Sequence, residues 1–325
     1  MIALQILILI AGFAALIKGA DWFVDGSAAL AKKFHVSGLI IGLTIVALGT
    51  SAPELAVSSI AAIEGSNEIA FSNVVGSNIF NLLCVLGMCA VIHQVPVEPG
   101  IIKRDFPLTV GATLLVVFGT FFRALTSGSW IHAAMHDTVG FIGRPLSLAL
   151  LVLFIIYIVY LIIDARKHPT EEDEIVVPPA WKIALLILVG IALIVAGGQA
   201  VVYSAKEIAR ACGMTETLIG LTVVALGTSL PELVTSIVAA RKGETGMAVG
   251  NVVGSNMFNM MFILGVTSMI HPFAVNAASL WDMLILIAIS VIVYVFARTG
   301  RKVDRKEGLV MLALYIAEMV FAILR

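Results

Sequence analysis

Glu54 and Glu232 are the residues of this chain whose types and spacing point most directly to chemistry. Each closes an otherwise apolar run, GLTIVALGTSAPEL at 42–55 and GLTVVALGTSLPEL at 220–233. Thr50 and Ser51 precede Glu54 by four and three residues, which on a helix places them on the carboxylate's face; Thr228 and Ser229 repeat the arrangement before Glu232. Downstream, NVVGSNxFN supplies two i+4 rows, Asn73, Ser77, Asn81 and Asn251, Ser255, Asn259. Two carboxylates among hydroxyl and amide oxygens, with no His or Cys, form a hard donor set suited to Ca2+ or Na+ rather than to Zn2+ or copper. Two carboxylates match one Ca2+ in charge, and sodium ions or protons could occupy them instead. No Ser/His or Cys/His pair accompanies them, so an enzyme is the least favoured class.

The backbone adds donors. A proline nitrogen cannot bond the carbonyl four residues back and its ring clashes with that turn, so Pro53 frees Gly49 O and Pro231 frees Gly227 O. Distorted backbone at membrane depth is tolerated only when buried in protein or lining a cavity.

The runs are copies of one another. Every paired position is offset by 178 residues, and 28 of 47 positions between 41–87 and 219–265 are identical. The chain is an internal duplication.

Composition places both copies in a bilayer. The 325 residues are 60% hydrophobic and 13% charged, with mean hydropathy +1.06. A spanning helix needs roughly 20 apolar residues, and ten windows satisfy this: 2–30, 38–63, 69–93, 105–122, 146–164, 181–208, 217–240, 247–271, 278–297 and 308–324. The first has no basic residue before its apolar run, and Lys18 and Asp21 stand where a cleavage site would fall, so it is read as a retained helix. Net charge is −1, which argues against nucleic acid as a partner. Cys84, Cys89 and Cys212 lack metal-type spacing and are expected to be buried small hydrophobes.

Five spans precede the second copy, so equivalent loops must emerge on opposite faces. Placing both termini outside leaves 14 Lys and Arg on the cytoplasmic side and five outside, with Lys18 inside the first span. The expectation is an all-α membrane protein with ten transmembrane helices as two inverted five-helix repeats. Residues 1–164 form the first repeat, 165–180 a short cytoplasmic linker and 181–325 the second repeat. Such halves make a transporter whose site lies at the midplane between them.

GTSxPEL followed by NVVGSNxFN, twice and inverted, resembles the alpha repeats of the cation/calcium antiporter superfamily, most closely the prokaryotic sodium/calcium exchangers. The resemblance implies Ca2+ export driven by Na+ influx across the cell membrane, with Glu54 and Glu232 coordinating both ions. It also implies ligands at Thr50, Ser51, Ser77, Asn81, Thr228, Ser229 and Ser255 and backbone carbonyls at Ala47 and Ala225. It further implies that the first and sixth spans slide as a gating pair, and that the chain works as a monomer in the lipid bilayer. No cofactor is expected; Ca2+ and Na+ are transported ions. Some relatives, including potassium-dependent exchangers, carry aspartate at the position of Asn259, and its absence here argues against a potassium requirement.

A Ca2+/H+ antiporter of the same fold and, in another class, a cation channel are the competing readings. Packing and ligation both fit Asn73 and Asn251; Ser58 and Ser236 read as packing residues. Lys18, Asp21 and Asp25 read as local pairs within the first helix, Glu318 as interfacial, and Gly19, Gly26, Gly197 and Gly198 as close-contact glycines. The acidic run at 170–174 reads as solvated linker, and the outer loop at 123–145 as a short interfacial helix.

Overall fold

A computed structural model describes residues 2–169, 177–214 and 225–324. The run at 170–174 and the first eight residues of the span expected at 217–240 lie outside the described residues.

The first half contains α1 (Ile2–Lys33), α2 (Gly38–Thr50), α3 (Ala52–Ile63), α4 (Glu68–Ile92), α5 (Ile101–Ser127) and α6 (Arg144–Lys167). The second contains α7 (Ala180–Ala211), α8 (Ala225–Thr228), α9 (Leu230–Arg241), α10 (Thr245–Ile270), α11 (Ala277–Arg298) and α12 (Arg305–Leu324). Among the described residues eight helices are long and apolar enough to cross a membrane, and α2 with α3, bent by 47°, makes a ninth span. The chain is a multi-pass membrane protein.

Depth within the bundle follows the polar residues. The spanning windows of α4 and α10 are 72% and 78% buried, whereas those of α1 and α12 are 17% and 11% buried and face outward. The motif-bearing helices are therefore the inner ones. They pack through Val74, Val75, Leu83, Val252, Met260 and Met261.

Glycine sets one close contact that the hydropathy pattern does not announce. α1 lies along α7 so closely that a Cβ on Gly19 would stand 2.8 Å from Gly190 O, and one on Gly197 would stand 2.7 Å from Gly12 O. Gly19 and Gly197 thus serve as expected, with Gly12 and Gly190 opposite them. Gly198 does not: the nearest atom to its Cβ would be 3.7 Å away, on Pro231.

Two short ladders tie loops together at the membrane faces. β1 (Val95–Pro96) pairs antiparallel with β4 (Lys302–Val303), and β2 (Thr138–Ile142) pairs antiparallel with β3 (Phe273–Asn276). Each ladder joins two loops that the alternation of spans assigns to the same face. The outer loop is therefore not the interfacial helix expected of it. After a single 3-10 turn at Ser129–Ile131, the residues TVGFI extend and find a strand partner in the opposite half, with Trp130 edge-on against Trp281. Cys89 is buried and Cys84 partly so, but Cys212 is exposed, because it falls just beyond the last residue of α7.

Candidate cation centre

Each motif is interrupted where the serine sits. Ser51 (φ −83°, ψ 8°) ends α2 and Ser229 (φ −93°, ψ 6°) precedes α9, both outside regular helical geometry. The prolines then fall in the first turn of the following helices, a position that needs no N–H bond. Glu54 and Glu232 occupy the same first turns, at the positive ends of α3 and α9.

The two carboxylates are 0% and 1% exposed, and each is held by the other repeat. Ser51 donates to Glu232 Oε1 at 2.8 Å; Ser229 donates to Glu54 Oε1 at 3.1 Å and also meets Ser77 Oγ at 3.0 Å. The second oxygen of each carboxylate, Oε2, is buried with no hydrogen-bond partner among the described residues. The same holds for Ser255 Oγ, Asn81 Oδ1 and Asn259 Oδ1. An unpartnered buried polar atom costs about 1–3 kcal/mol, more if charged. These five buried oxygens are the acceptors the motifs leave open.

The remaining polar residues stitch that centre to its supports. Asn73 donates to Ser58 Oγ at 2.9 Å and lies 3.5 Å from Glu54 O, while its Oδ1 accepts from Thr228 at 3.3 Å. Asn251 donates to Ser236 Oγ at 2.9 Å and lies 3.5 Å from Glu232 O, while its Oδ1 accepts from Thr50 at 3.0 Å. Each amide thus joins three elements, and Ser58 and Ser236 are packing partners as expected. Ala47 O, at the end of α2, accepts from Ser51 N at 3.0 Å and stands 3.4 Å from the Thr50 hydroxyl. Ala225 begins α8.

Some charges behave differently from their sequence reading. Lys18 pairs with Asp21 at 2.8 Å within α1, but Asp25 does not pair locally. Lys242, just past α9, reaches Asp25 and Asp21 at 2.6 Å each, because that turn folds back over α1. Glu318 is not at the interface alone: with Asp282, Tyr315, Asn73 and Ser77 it lines a cavity of about 190 Å3 beside α4. Asn78 and Asn256, which the sequence reading passed over, are buried and bonded across the halves. Their signal was identity in both copies of NVVGSNxFN at the common offset.

Residues 4–163 and 182–324 match the sequence profile of the family described as Sodium/calcium exchanger protein. The chain is 34% identical to the sodium/calcium exchanger MaX1 of Methanosarcina acetivorans, covering 98% of this chain and 99% of that protein. It is 33% identical to the inner membrane protein YrbG of Escherichia coli, over 82% and 79%. A solved structure of the sodium-calcium exchanger NCX_Mj, described in terms of extracellular ion exchange and binding-site occlusion, superposes with a TM-score of 0.81 at 31% identity over 100% of both chains.

Proposed function

Because the chain belongs to the sodium/calcium exchanger family, we propose that Glu54 and Glu232 form one shared centre at which it exchanges Na+ for Ca2+ across the membrane. The observation that carries this reading is the pair of buried Oε2 atoms left without partners while each Oε1 is held by the opposite repeat. Two carboxylates balance one Ca2+ or fewer than three Na+, so the ions compete for the same oxygens rather than occupying separate compartments. Thr50, Ser51, Ser77, Asn81 and Ala47 from the first repeat, with Thr228, Ser229, Ser255, Asn259 and Ala225 from the second, complete the proposed donor set. Asn259 in place of an aspartate holds the formal charge at two, which supports exchange without K+.

Alternating access requires the centre to open first to one side and then to the other. The proposed moving pair is α1 with α7, whose glycine-lined contact permits sliding without side chains interlocking. In the cell membrane, with both termini outside as the loop charges indicate, Na+ entering down its gradient would extrude Ca2+. A monomer contains the whole centre, since both carboxylates lie in one chain.

Proteoliposomes loaded with Na+ and diluted into Na+-free medium should take up labelled Ca2+, with no stimulation by K+. A pH gradient of matching size should not replace Na+. Uptake driven only by the pH gradient would overturn the sodium assignment, and flux without any counter-gradient would point to a channel.

A further inference from the structure

Four asparagines, Asn78 and Asn81 on α4 with Asn256 and Asn259 on α10, meet where the two repeats cross, none more than 1% exposed. Asn78 Nδ2 donates to the backbone carbonyl of Asn256 at 3.3 Å, and Asn256 Nδ2 donates to the backbone carbonyl of Asn78 at 3.2 Å. Asn81 Nδ2 donates to Asn256 Oδ1 at 3.1 Å, and Asn259 Nδ2 donates to Asn78 Oδ1 at 3.0 Å. The backbone here is loosened into π turns at Asn81–Val85 and Phe258–Ile263, a distortion that recurs at functional sites.

The orientation of every amide follows from this pattern. A backbone carbonyl can only accept, so the Asn78 side chain must turn its NH2 to Asn256 O and its oxygen to Asn259. Asn259 must then answer with its own NH2, which sends Asn259 Oδ1 the other way. The same sequence runs from Asn78 O through Asn256 to Asn81. Both outward-turned oxygens, Asn81 Oδ1 and Asn259 Oδ1, are buried and lack a hydrogen-bond partner among the described residues.

We propose that Asn78 and Asn256 are positioning residues that fix the flip of Asn259 and Asn81, each from the opposite repeat, so that an amide oxygen rather than an NH2 faces the transported cation. This rests on reading the centre as the cation site. An amide free to rotate would present its NH2 dipole to the ion in part of the population, and a hard cation accepts only oxygen. The belt thereby makes the ligand set of each half depend on the other half. An aspartate at 259 would put two acceptors face to face unless Asn78 turned and gave up its bond to Asn256 O.

A merely structural tie would weaken the fold and leave the ion preference of the remaining ligands intact, so the test is coupling in Ca2+ affinity. Half-saturating Ca2+ is measured in proteoliposomes, and by Ca2+-dependent melting of the purified chain for variants that do not exchange. Asn78→Ala should raise it about tenfold, and that increase should vanish in an Asn259→Ala background while adding in full to Asn81→Ala. Asn256→Ala should show the converse pattern, coupled to Asn81 and independent of Asn259. If Asn78→Ala does not fold, Asn78→Ser carries the same cycle. An effect of Asn78→Ala undiminished by Asn259→Ala, or coupling to Asn81 of its own repeat, would overturn the positioning role. If Asn259→Ala and Asn81→Ala leave half-saturating Ca2+ unchanged, the ligand assignment fails and the proposal with it.

Discussion

The polar centre and the loops around it descend from the same duplication, yet the copies have been kept alike in one place and allowed to differ in the other. At the centre three pairs of bonds are mirrored between the copies: Ser51 to Glu232 and Ser229 to Glu54, Thr50 to Asn251 and Thr228 to Asn73, Asn251 to Ser236 and Asn73 to Ser58. The Ser229–Ser77 contact lacks a mate, Ser255 Oγ having no partner among the described residues. At the rim the mates diverge. Lys242 grips Asp21 and Asp25, whereas its repeat partner is the exposed Glu64. Arg104 is paired with Asp105 at 2.7 Å and Asp164 at 2.7 Å, whereas its partner Asp282 lines the cavity beside α4. On the proposed reading the cation draws ligands from both halves. The two membrane faces, one carrying most of the basic residues, need not be alike.

Mirrored substitutions test this contrast: at the centre they should act equally, and at the rim unequally. The largest effect belongs to Glu54→Gln and Glu232→Gln, each of which should abolish Na+-driven Ca2+ uptake; activity in one but not the other would mean that the halves are not equivalent. Next comes Arg104→Ala. Asp105 is fully buried and also takes a bond from Tyr157 at 3.1 Å, so removing its cation should cost about 3–5 kcal/mol, read as a lowered melting temperature. Asn73→Ala and Asn251→Ala, back at the centre, should each destabilise by about 1–3 kcal/mol by stripping partners from the hydroxyls they bind. The smallest effect is at the turns. Lys242→Met removes a partly exposed clamp worth about 0.2–1 kcal/mol, enough to shift the ratio of half-saturating Ca2+ on the two faces by a few-fold, while Glu64→Gln should leave that ratio unchanged.

The proposed centre stands out in the sequence because polar residues in apolar spans are conspicuous and the repeat doubles the signal. Spacing placed Thr50 and Ser51 on the helix face of Glu54, but the helix breaks at Ser51, and Thr50 and Ser51 bond Asn251 and Glu232 of the other repeat instead; the loop charges invert the second copy. Asn78 and Asn256 escaped because the row Asn73, Ser77, Asn81 seemed complete without them; they project off that row, toward the other repeat. The π turns carry no hydropathy period that would announce them. Lys242 was missed for a different reason: its pairing depends on how a turn folds back over α1, which local spacing within α1 cannot reveal. The TVGFI segment of the outer loop likewise becomes a strand only because a partner from the other half lies beside it.

On the proposed reading both halves build a single cation centre. Titrating Ca2+ into the purified chain, in the absence of Na+, should give one high-affinity site per chain, lost entirely in Glu54→Gln and equally in Glu232→Gln. Two sites, with each variant retaining one of them, would contradict it.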